Sequence, residues 1–199
     1  MNELTHLASK QRSTQAAEGL PRWRWTTAEL VRLTELGAFT AEDRFELIGG
    51  EMVPMPPVGR RHEVVASEIE DCFRSRAAAS IRVRTERQLN LTDDTYAKPD
   101  IFIHDAGVRP PDVRGDTALL VLEIAASGLT VDLTTKAKLY AQHGGREYWV
   151  VDAATLMTTV HRDPGPDGFG QLREVAATDP LVPLLVPELA VRMADLKLD

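Results

Sequence analysis

Cysteine is nearly missing: Cys72 is the single one among 199 residues. A disulfide within the chain is therefore excluded, and the count fits a reducing, cytoplasmic setting. Cys72 itself lies in IEDCFRSR, where apolar residues recur at helical spacing. It reads as a small buried hydrophobe rather than a reactive thiol. Long apolar runs are also missing. Nothing approaches the run of about 20 apolar residues that crosses a bilayer, so no membrane partner is expected. The opening stretch MNELTHLASKQRSTQAAEGLPR has no apolar centre of the kind a secretory leader needs, and residues 1–22 read as a polar, mobile segment. An excess of positive charge is absent too. The formal net charge is -7 and the pI is near 5.3. This speaks against indiscriminate duplex binding, which depends on many Lys and Arg contacts to phosphate. The charge is uneven, however. Arginines 60, 61, 74, 76, 82, 84 and 87 outnumber acids 63, 68, 70, 71 and 86, which leaves open either a local basic face or a solvated mixed-charge surface. Internal repeats and low-complexity tracts are not seen, and a repeat architecture is not indicated.

With 43% hydrophobic residues there is enough apolar material for one domain with a sizeable core, expected over residues 23–199. WTTAELVRLTELG predicts a first helix, with Thr26 and Glu29 as a capping box and Gly37 at its stop. RFELIGGEMVPM predicts a hairpin turning at Gly49-Gly50. Val65, Ile69, Cys72 and Phe73 recur at helical spacing between His62 and Ala79. SIRVRTERQLNL, YAKPDIFIH and ALLVLEIA read as strands, the last a near-continuous apolar run of the kind buried on both sheet faces. VDLTTKAKLYAQHG reads as a helix, and REYWVVD, LMTTVHRD and GQLREV as the remaining strands. The tail PLLVPELAVRMADLKL is ambiguous between a strand and a short helix. The fold class is α/β, of the mixed α+β kind, with helices on both sides of a sheet.

Two acids stand out by position. Asp100 opens the run IFI, where Pro99 marks a strand beginning or bulging. Glu123 lies near the end of LLVLEIA. On neighbouring strands the two carboxylates would share one cavity. At a separation of about 4 Å they would repel by roughly 4 kcal/mol at an effective dielectric of about 20. A raised pKa on one acid, an intervening Lys or Arg, or a divalent cation would offset that. Mg²⁺ suits one or two carboxylates completed by waters. Asp132 and Lys136 are four residues apart on the following helix and share a face that could turn towards Glu123. A lysine there would stabilise charge on a pentavalent phosphate or help activate water; the bland alternative is a surface pair worth a few tenths of a kcal/mol. A glycosidase pair of acids would leave Lys136 without a role. His104, His143 and His161 show no ligand-like spacing, and Tyr148 and Trp149 sit in an apolar strand and read as core.

The order of these motifs resembles the Uma family of bacterial restriction endonucleases, within the PD-(D/E)XK superfamily. The stretches that carry the likeness are RFELIGGEMVPMPPVGRRHEVVASEI, KPDIFI, LLVLEIAASGLTVDLTTKAKLYAQHGGREYWVVD and HRDPGPDGF, within about Trp25–Asp199. The resemblance implies a restriction-endonuclease-like core, a mixed central sheet flanked by helices, with an N-terminal helix and hairpin. It implies Asp100 and Glu123 as metal ligands and Lys136 as the third catalytic residue, moved to the helix because the usual position, two after the acid, is Ala125. Glu46 and His62 match further polar positions of the family and Ser127 keeps the serine of its relatives; Gln88, expected on the strand beside Asp100, and Asp132, which shares a face with Lys136, are further supporting candidates. Mg²⁺, with Mn²⁺ as substitute, DNA as substrate and a homodimer are implied likewise. Relatives often carry an acid and a serine where this chain has Ala126 and Gly128. With the acidic pI, that departure motivates a second reading: a catalytically weak or inactive descendant that binds nucleic acid or protein.

Overall fold

The computed structural model describes residues 13–15, 19, 21–40, 42–126 and 128–198. The chain divides into two compact units, Met1–Pro56 with Thr92–Ala97, and Pro57–Leu91 with Lys98–Asp199. Most of the segment expected to be mobile, residues 1–22, lies outside the described residues. The part within them pairs β1 (Ser13–Gln15) with β2 (Pro21–Trp23) in antiparallel fashion. Helix α1 (Thr27–Glu35) starts as its capping box requires: Thr26 Oγ1 accepts from the Glu29 N–H, and Glu29 returns a carboxylate to the Thr26 N–H. The hairpin of β3 (Phe45–Ile48) and β4 (Glu51–Pro54) turns on Gly49 and Gly50, at φ +57° and +81°. Both positive angles suit a two-residue hairpin turn. A Cβ at Gly50 would also lie 2.7 Å from Arg24 Cβ.

Helix α2 (Arg60–Arg76) follows, then β5 (Ile81–Thr85), β6 (Leu89–Thr92), β7 (Thr95–Ala97) and β8 (Ile101–Asp105). In the first unit, β3 lies between β4 and β7, and Leu30, Leu47 and Tyr96 form the buried centre. Burial, with Glu46 adding to it, pushes the Tyr96 hydroxyl up to about 12.

The second unit is built on a sheet completed by β9 (Ala118–Ala125), β10 (Glu147–Asp152), β11 (Thr158–Gly165) and β12 (Gly168–Val175). Its order is β12-β11-β10-β9-β8-β5. Only β9 and β10 run parallel; the other pairs are antiparallel, so the sheet is mixed. A parallel pair needs a crossover. It is supplied by α3 (Leu129–Val131), a π-helical turn over Asp132–Lys136, and α4 (Ala137–Gln142). Val65, Ile69 and Phe73 of α2 recur every four residues and pack on one sheet face with Val83, Ile101, Ile103, Leu122, Ile124 and Trp149. Each such buried side chain contributes roughly 1.5–3 kcal/mol. α4 packs over β11 and β12. Cys72 is only half-buried at the rim of the α2 core, and burial raises its thiol pKa. The tail is neither strand nor α-helix. It makes 3₁₀ turns at Pro187–Leu189 and Met193–Asp195 and one bridge between Leu181 and Val191. Pro183 and Pro187 remove the N–H groups a longer element would need. No helix among the described residues is long and apolar enough to cross a membrane.

Glu147 is fully buried on β10 and is satisfied on both oxygens. Arg162 and the Trp149 indole donate to Oε1, at 2.6 and 2.9 Å, and the Leu184 N–H donates to Oε2 at 2.6 Å. Arg162 is about a third exposed and can turn to water, but the Trp149 indole and the Leu184 N–H would lose their acceptor. Glu147→Ala is expected to lose about 1–3 kcal/mol for each donor left unsatisfied, read by urea unfolding. Burial also lowers the pKa of His104 and His161, whose rings are enclosed in the sheet. Folding therefore weakens their hold on a proton, and below about pH 6.5 the unfolded chain binds more protons than the folded one. Their contribution is complete above that pH and is lost as pH falls. Urea midpoints are expected to decline from pH 7.5 to 5.5, less steeply in His161→Phe.

Candidate active site

The site grows from the pairing of β8 with β9. Ile101 faces Leu122 and Phe102 faces Val121, so one step further brings Asp100 level with Glu123. Pro99 cannot donate to a ladder, and the regular pairing ends there. The Asp100 side chain takes over: its Oδ2 accepts the Ile124 N–H at 2.6 Å, and the Asp100 N–H faces Glu123 Oε2 at 3.4 Å. Leu122 and Ile124 point into the α2 core. Alternation along β9 therefore sends Glu123 to the opposite face, beneath the crossover.

Two cationic or protonatable groups reach the carboxylates from opposite sides. His62, in the first turn of α2, places Nε2 3.0 Å from Asp100 Oδ2, with both side chains largely buried. Lys136, at the end of the π turn, places Nζ 2.9 Å from Glu123 Oε1, and Asp132 Oδ1 stands 3.8 Å from the same ammonium. The Tyr140 hydroxyl donates to Glu123 Oε1 as well, at 3.2 Å. A cleft of about 470 Å³ opens beside this cluster, with His62, Ser67, Glu70, Thr85, Arg87 and Asp100 in its walls.

The crossover departs from the single α-helix expected of VDLTTKAKLYAQHG. The wider turn lets the Ala137 N–H reach the Asp132 carbonyl, which also accepts from the Tyr148 hydroxyl at 3.1 Å. Such π turns recur at functional sites because they re-aim side chains without breaking the helix.

Asp100, Glu123, Lys136, Asp132 and His62 thus converge in one unit. Glu46 is buried on β3 of the other unit. The expected strand position of Gln88 is corrected: it lies between β5 and β6 and donates to Asn90 Oδ1 at 2.7 Å, while the strand beside β8 is β5. β5 ends at Thr85, where Glu86 turns to a φ of +49° and gives its N–H to the Asp100 carbonyl. Ser127 lies outside the described residues. Ala125 is buried on β9, and Ala126 is exposed in the bend after it. Sequence reasoning did not single out Tyr140 within VDLTTKAKLYAQHG. Its spacing of four from Lys136 was the available signal.

Among the described residues no group of three or more His, Cys, Asp or Glu side chains is arranged to hold a metal ion. The donor set that is present, two carboxylates level with each other at the end of a ladder, has the hard-oxygen chemistry of a cation that keeps several of its waters. That chemistry fits such a cation, and Asp100 and Glu123 are the residues that would hold it.

This sheet and crossover define a restriction-endonuclease-like α+β fold. The chain belongs to the Uma2 family, described as "Putative restriction endonuclease", whose model matches residues 27–194. It is similar in fold to a crystal structure described as "a putative nuclease belonging to DUF820" from Anabaena variabilis, with a TM-score of 0.68 and 18% identity over 86% of this chain and 96% of that one. No curated protein matches the chain.

If Lys136 is what offsets the carboxylate pair, Lys136→Met should lower stability by about 3 kcal/mol without divalent cations. Adding Asp100→Asn, which removes one like charge, should restore part of that loss. Urea unfolding of both variants in EDTA measures it.

Proposed function

We propose that the protein is a divalent-metal-dependent endonuclease that hydrolyses DNA phosphodiester bonds. The convergence of Lys136, Glu123 and Asp100 at one strand end carries this reading. Asp100 and Glu123 would hold Mg²⁺, with Mn²⁺ as a substitute. A bound cation of this kind supplies Lewis acidity at phosphorus and lowers the pKa of a nearby water.

The chain's own groups divide the remaining work. His62 orients the Asp100 carboxylate from the α2 side. Lys136 presents an ammonium that can leave Glu123 for a phosphate oxygen, where it stabilises the charge that develops in the transition state. Arg87 in the cleft wall offers a further contact for a phosphate, set among Glu63, Glu70 and Glu86. That acidic setting makes a divalent cation the natural mediator between substrate and protein. One such site cuts one strand, so duplex cleavage calls for two copies acting together, and a homodimer is part of the proposal.

Supercoiled, linear and single-stranded DNA incubated with the chain and Mg²⁺ or Mn²⁺ would test it. Nicking or cleavage is expected, lost by at least about 100-fold in Asp100→Ala and in Lys136→Ala, as for removal of a principal charge-stabilising group. Equal cleavage by the parent and both variants would sink the site. Absence of cleavage by the parent, with DNA binding retained, would favour the inactive descendant.

A further inference from the structure

Donors of different chemistry meet at Glu123. Lys136 Nζ and Tyr140 OH share Oε1, at 2.9 and 3.2 Å, while Oε2 faces the Asp100 N–H at 3.4 Å. Lys136 carries a full charge on a flexible stem and is partly exposed. Tyr140 is neutral, fully buried and held by its ring. Its centroid lies 4.8 Å from that of Tyr148, which in turn stacks on Phe169 at 16° between planes. The hydroxyl therefore cannot swing away as an ammonium can.

The difference matters when a cation arrives. Lys136 competes with a divalent cation for the same carboxylate and is repelled by it. A neutral hydroxyl donor does neither. We propose that Tyr140 is a positioning residue: its hydroxyl pins Oε1 of Glu123 and keeps Oε2 turned towards Asp100 for a divalent cation, while Lys136 is released to the phosphate. The proposal rests on the reading of Asp100 and Glu123 as a cation pair. It assigns the buried tyrosine the part that outer hydrogen-bond partners play at metal centres, where they fix the orientation of a ligand they do not replace.

The arrangement also accounts for the tyrosine's place in the chain. Tyr140 is four residues beyond Lys136, so the two donors stand one above the other on the crossover and reach the same oxygen. The π turn ends at Lys136 and the regular helix begins at Ala137. Lys136 thus belongs to the irregular turn and Tyr140 to the helix packed on the sheet.

Mn²⁺ titration of the full chain, followed by electron paramagnetic resonance of the free ion, tests this without any need for turnover. Tyr140→Phe is expected to bind Mn²⁺ about tenfold more weakly. Lys136→Met, which removes a competing charge, is expected to bind it as tightly as the parent or more tightly. Trp149→Phe, which loosens the core on the far sheet face, is expected to lower the unfolding temperature and leave Mn²⁺ affinity unchanged. Should Tyr140→Phe fail to fold, Tyr140→Leu removes the same hydroxyl, and the same tenfold loss is expected. Affinity within twofold of the parent in either hydroxyl-free variant overturns the role of Tyr140. Glu123→Ala separates the two ideas. If it loses Mn²⁺ while Tyr140→Phe retains it, only the positioning role fails. If Glu123→Ala also retains it, the cation pair itself is wrong.

Discussion

Two carboxylates held level across one strand pair are the constraint that the rest of the second unit serves. The β8–β9 register leaves Asp100 and Glu123 side by side where the ladder ends. Two like charges about 4 Å apart would repel by roughly 4 kcal/mol at an effective dielectric of about 20 if nothing answered them. The answers come from three separate elements. The Ile124 N–H on β9 binds Asp100, His62 on α2 faces the same carboxylate, and Lys136 and Tyr140 on the crossover hold Glu123. None of these donors is close in sequence to both acids. The sheet, α2 and the crossover must all be in place before the pair is tolerable, so the site and the fold stand or fall together.

The same rule operates at the other buried acid. Glu147 lies on β10 with no exposure, and its oxygens are filled by Arg162 on β11, the Trp149 indole and a backbone N–H of the tail. Here every partner is fixed and the carboxylate is fully engaged within the protein. At Glu123, by contrast, one oxygen is held by a pair of side-chain donors, while the other faces the backbone N–H of Asp100 at 3.4 Å. That contrast separates a buried acid that locks the tail onto the sheet from one held by the crossover beside Asp100.

Local signals were legible in the sequence wherever the physics is local. Thr26 and Glu29 close their capping box over three residues, and Gly49-Gly50 turns a hairpin within itself. The unbroken apolar run of β9 announces a strand buried on both faces, and it is one. Asp100 and Glu123 could be singled out because an acid at the edge of an apolar run needs a reason to be there, and the family resemblance named the same two. The Uma2 match and the fold of the Anabaena relative agree with that reading of the architecture.

Other features depend on partners that sequence spacing does not reveal. Gln88 looked like a strand residue because its neighbours suit a strand, but β5 ends at Thr85, where Glu86 turns. The π turn cannot be seen in VDLTTKAKLYAQHG, since it follows from what the Asp132 carbonyl meets, including a hydroxyl sixteen residues away. Nothing in the helix pattern sets Tyr140 apart until its oxygen is placed against Glu123, seventeen residues earlier. By itself the sequence determined the class of fold and most of its elements and singled out the two acids, because periodicity, capping and burial patterning act over a few residues. Only the tertiary structure decided which donors reach those acids and which oxygen stays turned towards Asp100. Those contacts join β8, β9, α2 and the crossover, and their geometry exists only once the strands are in register.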